Sequence, residues 1–291
     1  MYLCLRKTYW TLPNKNISYF TIIWYADNMI EINQKKCERI YREDRGEAMK
    51  KLAVVSAMWI EAEKLHEAMT DVKEFCYNDM KFFDGFLEGC PLVLTTCGVG
   101  KINAAIYTQL LIDKFAPSAI LHTGIAGSMD TAVKHLDFVV ADRLTYHDVR
   151  KSQMTELFPY CESFRTDEEL SKRLLESARA ELSKENTVEE TTESLSEVHR
   201  GMIITGDAFV TDGERKAELK KRFPSALCVE MEGCAVAHTA FVNKVPFGVI
   251  RCISDLADGK AQGDYEYFEK IAAQRAAKIT IGAVRSFGKD E

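Results

Sequence analysis

From Met49 onward the chain alternates short, continuously apolar runs with longer segments whose apolar positions recur every three or four residues. The apolar, β-branched runs are Leu52–Ala57, Pro91–Thr96, Ala119–Thr123, Phe138–Ala141, Met202–Thr205 and Phe247–Ile253. Their length and content predict strands. The segments Ile60–Met69, Lys101–Phe115, Asp167–Lys184, Glu214–Phe223, Glu232–Asn243 and Tyr265–Phe287 predict helices. Strands without polar alternation are those buried on both faces. The alternation therefore predicts an α/β fold, a three-layer αβα sandwich around a mixed, mostly parallel central sheet. One stretch breaks the order. Ser183–Arg200 is acidic, rich in Ser and Thr and poor in apolar residues, and reads as a surface excursion between a helix and the next strand.

Residues 1–48 differ from the rest. They hold Trp10 and Trp24, two of the three tryptophans, and show no sustained period. Their most apolar run, Ile17–Ala26, falls short of the roughly 18 residues a membrane helix needs. It also lacks a small-x-small cleavage site and runs into Asp27-Asn28. We expect 1–48 to be an N-terminal appendage, disordered or the product of a wrongly chosen start, and 49–291 to be the working domain.

The net charge of −6 argues against a surface built to bind nucleic acid. Nine cysteines include no Cys-x-x-Cys pair, and six histidines form no His-Glu-x-x-His pattern, so neither a metal nor a cofactor is signalled. Cys97, Cys228 and Cys252 lie in apolar stretches and read as buried thiols of a reducing, cytoplasmic setting.

Ligands of open α/β sheets bind beyond the carboxyl ends of the strands. There the chain places Met58 and Glu61, then Gly124-Ile125-Ala126-Gly127-Ser128, Gly206-Asp207-Ala208-Phe209-Val210, Glu230-Met231-Glu232 and Ser254-Asp255. Acids distant in sequence can thus converge on one rim. Each also has an ordinary structural reading. Glu61 or Glu232 can be a first-turn helix acid, Ser254 or Asp255 a cap, and the glycines tight turns. The turn Gly98-Val99-Gly100-Lys101 lacks the spacing of a phosphate loop and reads as the opening of a helix. No Gly-x-Ser-x-Gly elbow is present.

At these strand ends the chain resembles the 5′-methylthioadenosine/S-adenosylhomocysteine nucleosidases of the nucleoside phosphorylase superfamily. The matching segments include VVSAMWIEAEKL, TTCGVGKINAA, LHTGIAGSMD, ITGDAFV, FPSALCVEMEGCAVAH and VPFGVIRCISDLAD, in the expected order over most of 50–285. The resemblance implies hydrolysis of an N-glycosidic bond. Such cleavage builds positive charge on the sugar and negative charge on the purine, which two carboxyl groups can serve. By similarity, Asp255 protonates adenine N7, with Ser254 positioning it, and Glu61 activates the water. Glu232 binds the ribose hydroxyls and Met231 packs by the sugar. Phe209 stacks on the purine, the backbone at Val210 reads its edge, Gly127 permits close approach of the chain to ligand or water, and Arg251 supports the site. Ile125 and Ser128 depart from the usual Ser and Gly of relatives, and Trp59-Ile60 replaces an acidic run.

Three rivals stand beside this reading: a phosphorolytic enzyme of the same fold, a non-catalytic nucleoside-binding protein, and a nucleosidase for a futalosine-type nucleoside. Phosphorolysis needs converging cations, whereas the first strand end carries Met58 and Glu61. Met58, Ile125, Phe209 and Met231 predict an apolar, polarisable surround suited to a 5′-thioether. The apolar stretch Met154–Phe164 predicts a homodimer whose partner helps to close the site.

Overall fold

The structure is a computed structural model that describes residues 51–188, 196–258 and 261–288. The expectations for residues 1–48 lie outside the described residues. Among the described residues there are ten strands: β1 (Leu52–Ser56), β2 (Met69–Tyr77), β3 (Met80–Leu87), β4 (Cys90–Thr96), β5 (Ala119–Ser128), β6 (Phe138–Tyr146), β7 (Phe164–Arg165), β8 (Val198–Thr205), β9 (Ala226–Glu230) and β10 (Phe247–Asp255). The helices are α1 (Trp59–Ala68), α2 (Lys101–Phe115), α3 (Lys151–Glu156), α4 (Glu168–Val188), α5 (Gly213–Arg222), α6 (Gly233–Val242) and α7 (Ala261–Phe287).

β4, β1, β5 and β10 form one parallel block. β6, β8 and β9 form a second. The blocks meet antiparallel at β10–β6 and β5–β9, so five strands close on themselves. β3 and β2 extend the open edge as an antiparallel ribbon. That ribbon is absent from the sequence-based expectation because β2 (MTDVKEFCY) is mostly solvent-facing and carries too few apolar residues to mark a period.

The pleat sorts each central strand between two layers. Leu52 and Val54 of β1 pack with Leu65 of α1, Leu174 of α4 and Ile279 of α7. Ala53 and Val55 pack with Leu111 of α2 and Val236 of α6. Each fully buried Leu or Val contributes about 1.5–3 kcal/mol. A smaller cluster joins Ile204, Val229 and Leu219 of α5.

Two boundaries differ from expectation in ways that bear on the site. The strand predicted to stop at Thr123 continues to Ser128, because β10 pairs with Gly124–Gly127 and β9 with Gly127–Ser128. The acidic excursion is shorter than Ser183–Arg200. α4 runs on to Val188 and β8 begins at Val198, while 189–195 lie outside the described residues.

Candidate active site

Glu61 is the third residue of α1, which starts directly after β1 and its Ala57-Met58 turn. Its side chain turns back to the helix entrance, as a capping-box acid does. One carboxylate oxygen accepts the Ala57 and Met58 N–H groups, both at 2.8 Å. The other accepts the Ile125 N–H at 3.0 Å. Burial pushes this carboxyl above its usual range, outweighing those N–H groups and the positive charge of Arg251.

Asp255 ends β10 and is 1% exposed. Its Oδ1 accepts the Ala257 N–H at 2.9 Å, and its Oδ2 accepts the Ser254 hydroxyl at 2.9 Å. Here too burial outweighs the hydrogen bonds and raises the carboxyl above its usual range. Both carboxylates press against glycines of β5. A Cβ on Gly124 would lie 2.5 Å from Glu61 Oε1, and one on Gly127 would lie 2.7 Å from Asp255 Oδ1. Gly127, which lines the cavity, thus leaves room for Asp255 as well.

Glu232 precedes α6, and its Oε1 accepts the Gly100 N–H at 2.6 Å. Burial, together with the charge of nearby Glu230, pushes its carboxyl up to about 8. Glu230 is committed elsewhere. It accepts the Glu232 and Gly233 N–H groups at 3.0 and 2.6 Å and the hydroxyl of Thr205. It also pairs with Arg251 at 2.7 Å, both side chains being almost wholly buried. Burial alone would raise the Glu230 carboxyl, but the Arg251 guanidinium, with His122 and the Thr205 hydroxyl, outweighs it and holds it below the usual range. Arg251 further donates to the Ile250 carbonyl at 3.0 Å.

These groups converge on one cavity of about 390 Å³. Of the residues expected from sequence, Glu61, Gly127, Phe209, Met231, Glu232, Ser254 and Asp255 all line it, with Met58 and Ile125. Val210 is set behind: it is buried and bounds a recess of about 20 Å³ that shares Gly127, Phe209 and Met231 with the main cavity. Arg251 does not line the cavity; it pairs with Glu230 behind the wall and reaches Glu61 and Glu232 through its charge. Tyr265 and Val99 are additional walls. Tyr265 meets Phe209 edge to face at 5.3 Å and donates its hydroxyl to Glu269 at 2.6 Å. Strand-end reasoning missed it because it sits on a helix turn. A larger cavity of about 610 Å³, bounded by His147, Arg215 and Arg222, contains none of the converging carboxylates. Among the described residues, no cluster of three His, Cys, Asp or Glu is arranged to hold a metal.

The family profile described as the phosphorylase superfamily matches residues 51–285. A 5′-methylthioadenosine/S-adenosylhomocysteine nucleosidase of Staphylococcus aureus strain JH9 is 35% identical over 233 residues, which is 80% of this chain and 98% of that protein. The nucleosidase of Neisseria meningitidis, solved with methylthio-immucillin-A, superposes with a TM-score of 0.74 at 33% identity, covering 82% of this chain and all of that one. The futalosine hydrolase of Helicobacter pylori strain 26695 superposes with a TM-score of 0.70 at 28% identity, covering 82% and 98%. The fold and the carboxylate-lined cavity are thus those of a phosphorylase-superfamily enzyme. Within that class the chain belongs to the 5′-methylthioadenosine/S-adenosylhomocysteine nucleosidase family.

Proposed function

We propose that this protein hydrolyses the N-glycosidic bond of 5′-methylthioadenosine and S-adenosylhomocysteine, releasing adenine and the 5-thio-substituted ribose. The observation that carries the reading is the cavity wall. It bears Glu61, Asp255, Glu230 and Glu232, and among the described residues no Lys or Arg. Asp255, buried and steered by Ser254, is the acid that delivers a proton to adenine N7 as charge builds on the purine. Glu61, oriented by three backbone N–H groups, takes the proton of the attacking water. Glu232 accepts the ribose hydroxyls and Met231 packs by the sugar. Phe209 supplies an aromatic face, and the Val210 backbone distinguishes a 6-amino from a 6-oxo purine. The test is adenine release by the full chain from methylthioadenosine, S-adenosylhomocysteine, adenosine, methylthioinosine, a futalosine-type nucleoside and AMP, with and without phosphate. Methylthioadenosine should lead in kcat/KM and phosphate should not matter. A strict need for phosphate would overturn hydrolysis.

We further propose a homodimer in a cytoplasmic setting. Leu157, Phe158 and Tyr160 are 62–69% exposed on the segment after α3, and this concentration of apolar surface supports burial by a second copy. Seven cysteines among the described residues are free thiols, which suits a reducing compartment. Sedimentation at assay concentration tests the dimer: a fully active monomer refutes it.

A further inference from the structure

The turn that opens α2 stands between the two ends of the cavity. Gly100, the residue before the helix, has φ 101°, a left-handed value that favours glycine. Its N–H donates to Glu232, on the ribose side. The next N–H, of Lys101, donates to Asp207 Oδ1 at 2.8 Å. Asp207 lies two residues before Phe209 and three before Val210, the purine side. Two adjacent amides are thus held by two carboxylates from different strand ends, 25 residues apart in sequence.

The arrangement is closed by a third carboxylate. Asp148 takes the Lys101 ammonium at 2.7 Å through both oxygens and accepts the Asp207 N–H at 2.9 Å. Lys101 Nζ is also 3.5 Å from Asp207 Oδ2. Lys101, Asp148 and Asp207 therefore form a ring joining α2, the loop after β6 and the loop after β8. None of the three lines the cavity.

We propose that this ring is a positioning device for the nucleoside site: it sets the distance between the ribose-binding Glu232 and the purine-binding Phe209–Val210 segment. The inference rests on the nucleosidase reading above. The ring is poorly suited to be a fold-stabilising feature, since the side chains of Lys101, Asp148 and Asp207 are 18, 27 and 47% exposed and such pairs add little to global stability. Its geometry instead bears on both ends of one ligand. Loosening it should weaken the binding of the whole nucleoside more than it slows the chemistry, because neither Glu61 nor Asp255 touches it.

The variants are Asp207→Ala, Asp207→Asn and Lys101→Met in the full chain. Asp207→Ala removes the acceptor of the Lys101 N–H and should raise KM for methylthioadenosine roughly tenfold, the scale of one lost charge-assisted hydrogen bond. The kcat should change much less and the melting temperature should hold. Asp207→Asn keeps an oxygen at the same place and should restore KM towards wild type. Lys101→Met keeps the backbone amide and should give an intermediate KM. Calorimetric titration with adenine, which needs no turnover, should show weaker binding in Asp207→Ala alone of the two Asp207 variants. An unchanged KM and adenine affinity in Asp207→Ala would overturn the proposal. So would a rise in KM accompanied by a fall in melting temperature that Asp207→Asn shares, because that pattern is loss of structure. A wild-type chain that binds adenine but cleaves no nucleoside would overturn the nucleosidase reading, and the adenine titration would still decide the positioning.

Discussion

β5 makes room for both proposed reacting carboxylates, and this leads to a test that leaves those carboxylates chemically intact. Gly124 and Gly127 lie in a strand conformation that any residue adopts, so their replacement by alanine carries no backbone penalty of its own. The added methyl does. On Gly124 it would stand 2.5 Å from Glu61 Oε1 and 3.1 Å from the Glu61 carboxyl carbon. On Gly127 it would stand 2.7 Å from Asp255 Oδ1 and 3.1 Å from the Ala257 Cβ. Ordinary contact begins at 3.4 Å, so each carboxylate must retreat by something approaching 1 Å. Neither can do so freely. Glu61 is held by three N–H groups, and Asp255 by the Ala257 N–H and Ser254. A misplacement of about 1 Å costs on the order of 100-fold in rate, and overpacking of this kind about 1–3 kcal/mol in stability. Gly124→Ala and Gly127→Ala should therefore fold, with lowered melting temperatures, and lose on the order of 10- to 100-fold in kcat. Gly213→Ala is the control, because its methyl meets nothing within 4 Å and should leave both properties unchanged. Adenine release and thermal melting read the outcome. If either β5 variant kept a kcat near that of the control, the close approach of glycine and carboxylate would not be what sets the reacting geometry.

Other perturbations address the remaining groups. Glu61→Gln and Asp255→Asn should each preserve the circular dichroism spectrum and lower kcat by about 100- to 10,000-fold, the range for lost proton transfer; near-normal turnover would remove that residue from its role. Glu230→Ala leaves the Arg251 charge buried and unpaired, which should cost about 3–5 kcal/mol in urea denaturation; a loss below about 1 kcal/mol would contradict the pairing. Glu232 holds its proton up to a pH of about 8 in the fold but to about 4.5 when unfolded. Its contribution to stability is therefore fully present below pH 4.5 and declines towards pH 8, by at most about 1.4 kcal/mol per pH unit. Glu232→Gln should flatten that decline in melting experiments across the window, and an unchanged slope would refute it. A chain beginning at Met49 should fold and cleave substrate as the full chain does, and aggregation or a large fall in melting temperature on truncation would show that residues 1–48 belong to the core.

Legibility from sequence followed burial and period. The strands buried on both faces were plain because β1, β5 and β10 each open with an apolar run, LAVV, AIL and FGVI, without polar alternation. The converging acids were legible because each lies at the carboxyl end of a strand or within five residues of it. What escaped depended on partners distant in sequence. β2 and β3 form because each pairs with a neighbour, not because either carries a strong pattern. Glu230 stood at a strand end with no role assigned, and nothing local shows that Arg251, 21 residues on, meets it. Gly100 read as a helix opening, which it is, but its hydrogen bond to Glu232 spans 132 residues. Tyr265 carried no signal, since one aromatic residue in a helix pattern reads as packing.

The same electrostatic feature bears on two selections that look separate, the nucleophile and the 5′ substituent. Arg251 is the cation with most influence on the cavity, its charge opposing the effect of burial on the carboxyls of Glu61, Glu230 and Glu232, yet its guanidinium is locked against Glu230 behind the wall. An incoming phosphate would have to stand beside Glu61, which is ionised when it acts as the base, with no Lys or Arg on the described wall to offset the charge. Two like charges about 4 Å apart repel by about 4 kcal/mol under the screening typical near a protein surface, roughly a thousandfold in occupancy. Water pays no such penalty, so the carboxylate that would repel phosphate is free to activate water instead. A 5′-phosphate on the nucleoside would meet the same field, whereas a thioether would gain from apolar and sulfur–aromatic contact with a wall that includes Met58, Val99 and Tyr265. Hydrolysis in place of phosphorolysis and methylthioadenosine in place of AMP are then two consequences of one lining, and a variant that admits phosphate as nucleophile should also gain activity on AMP.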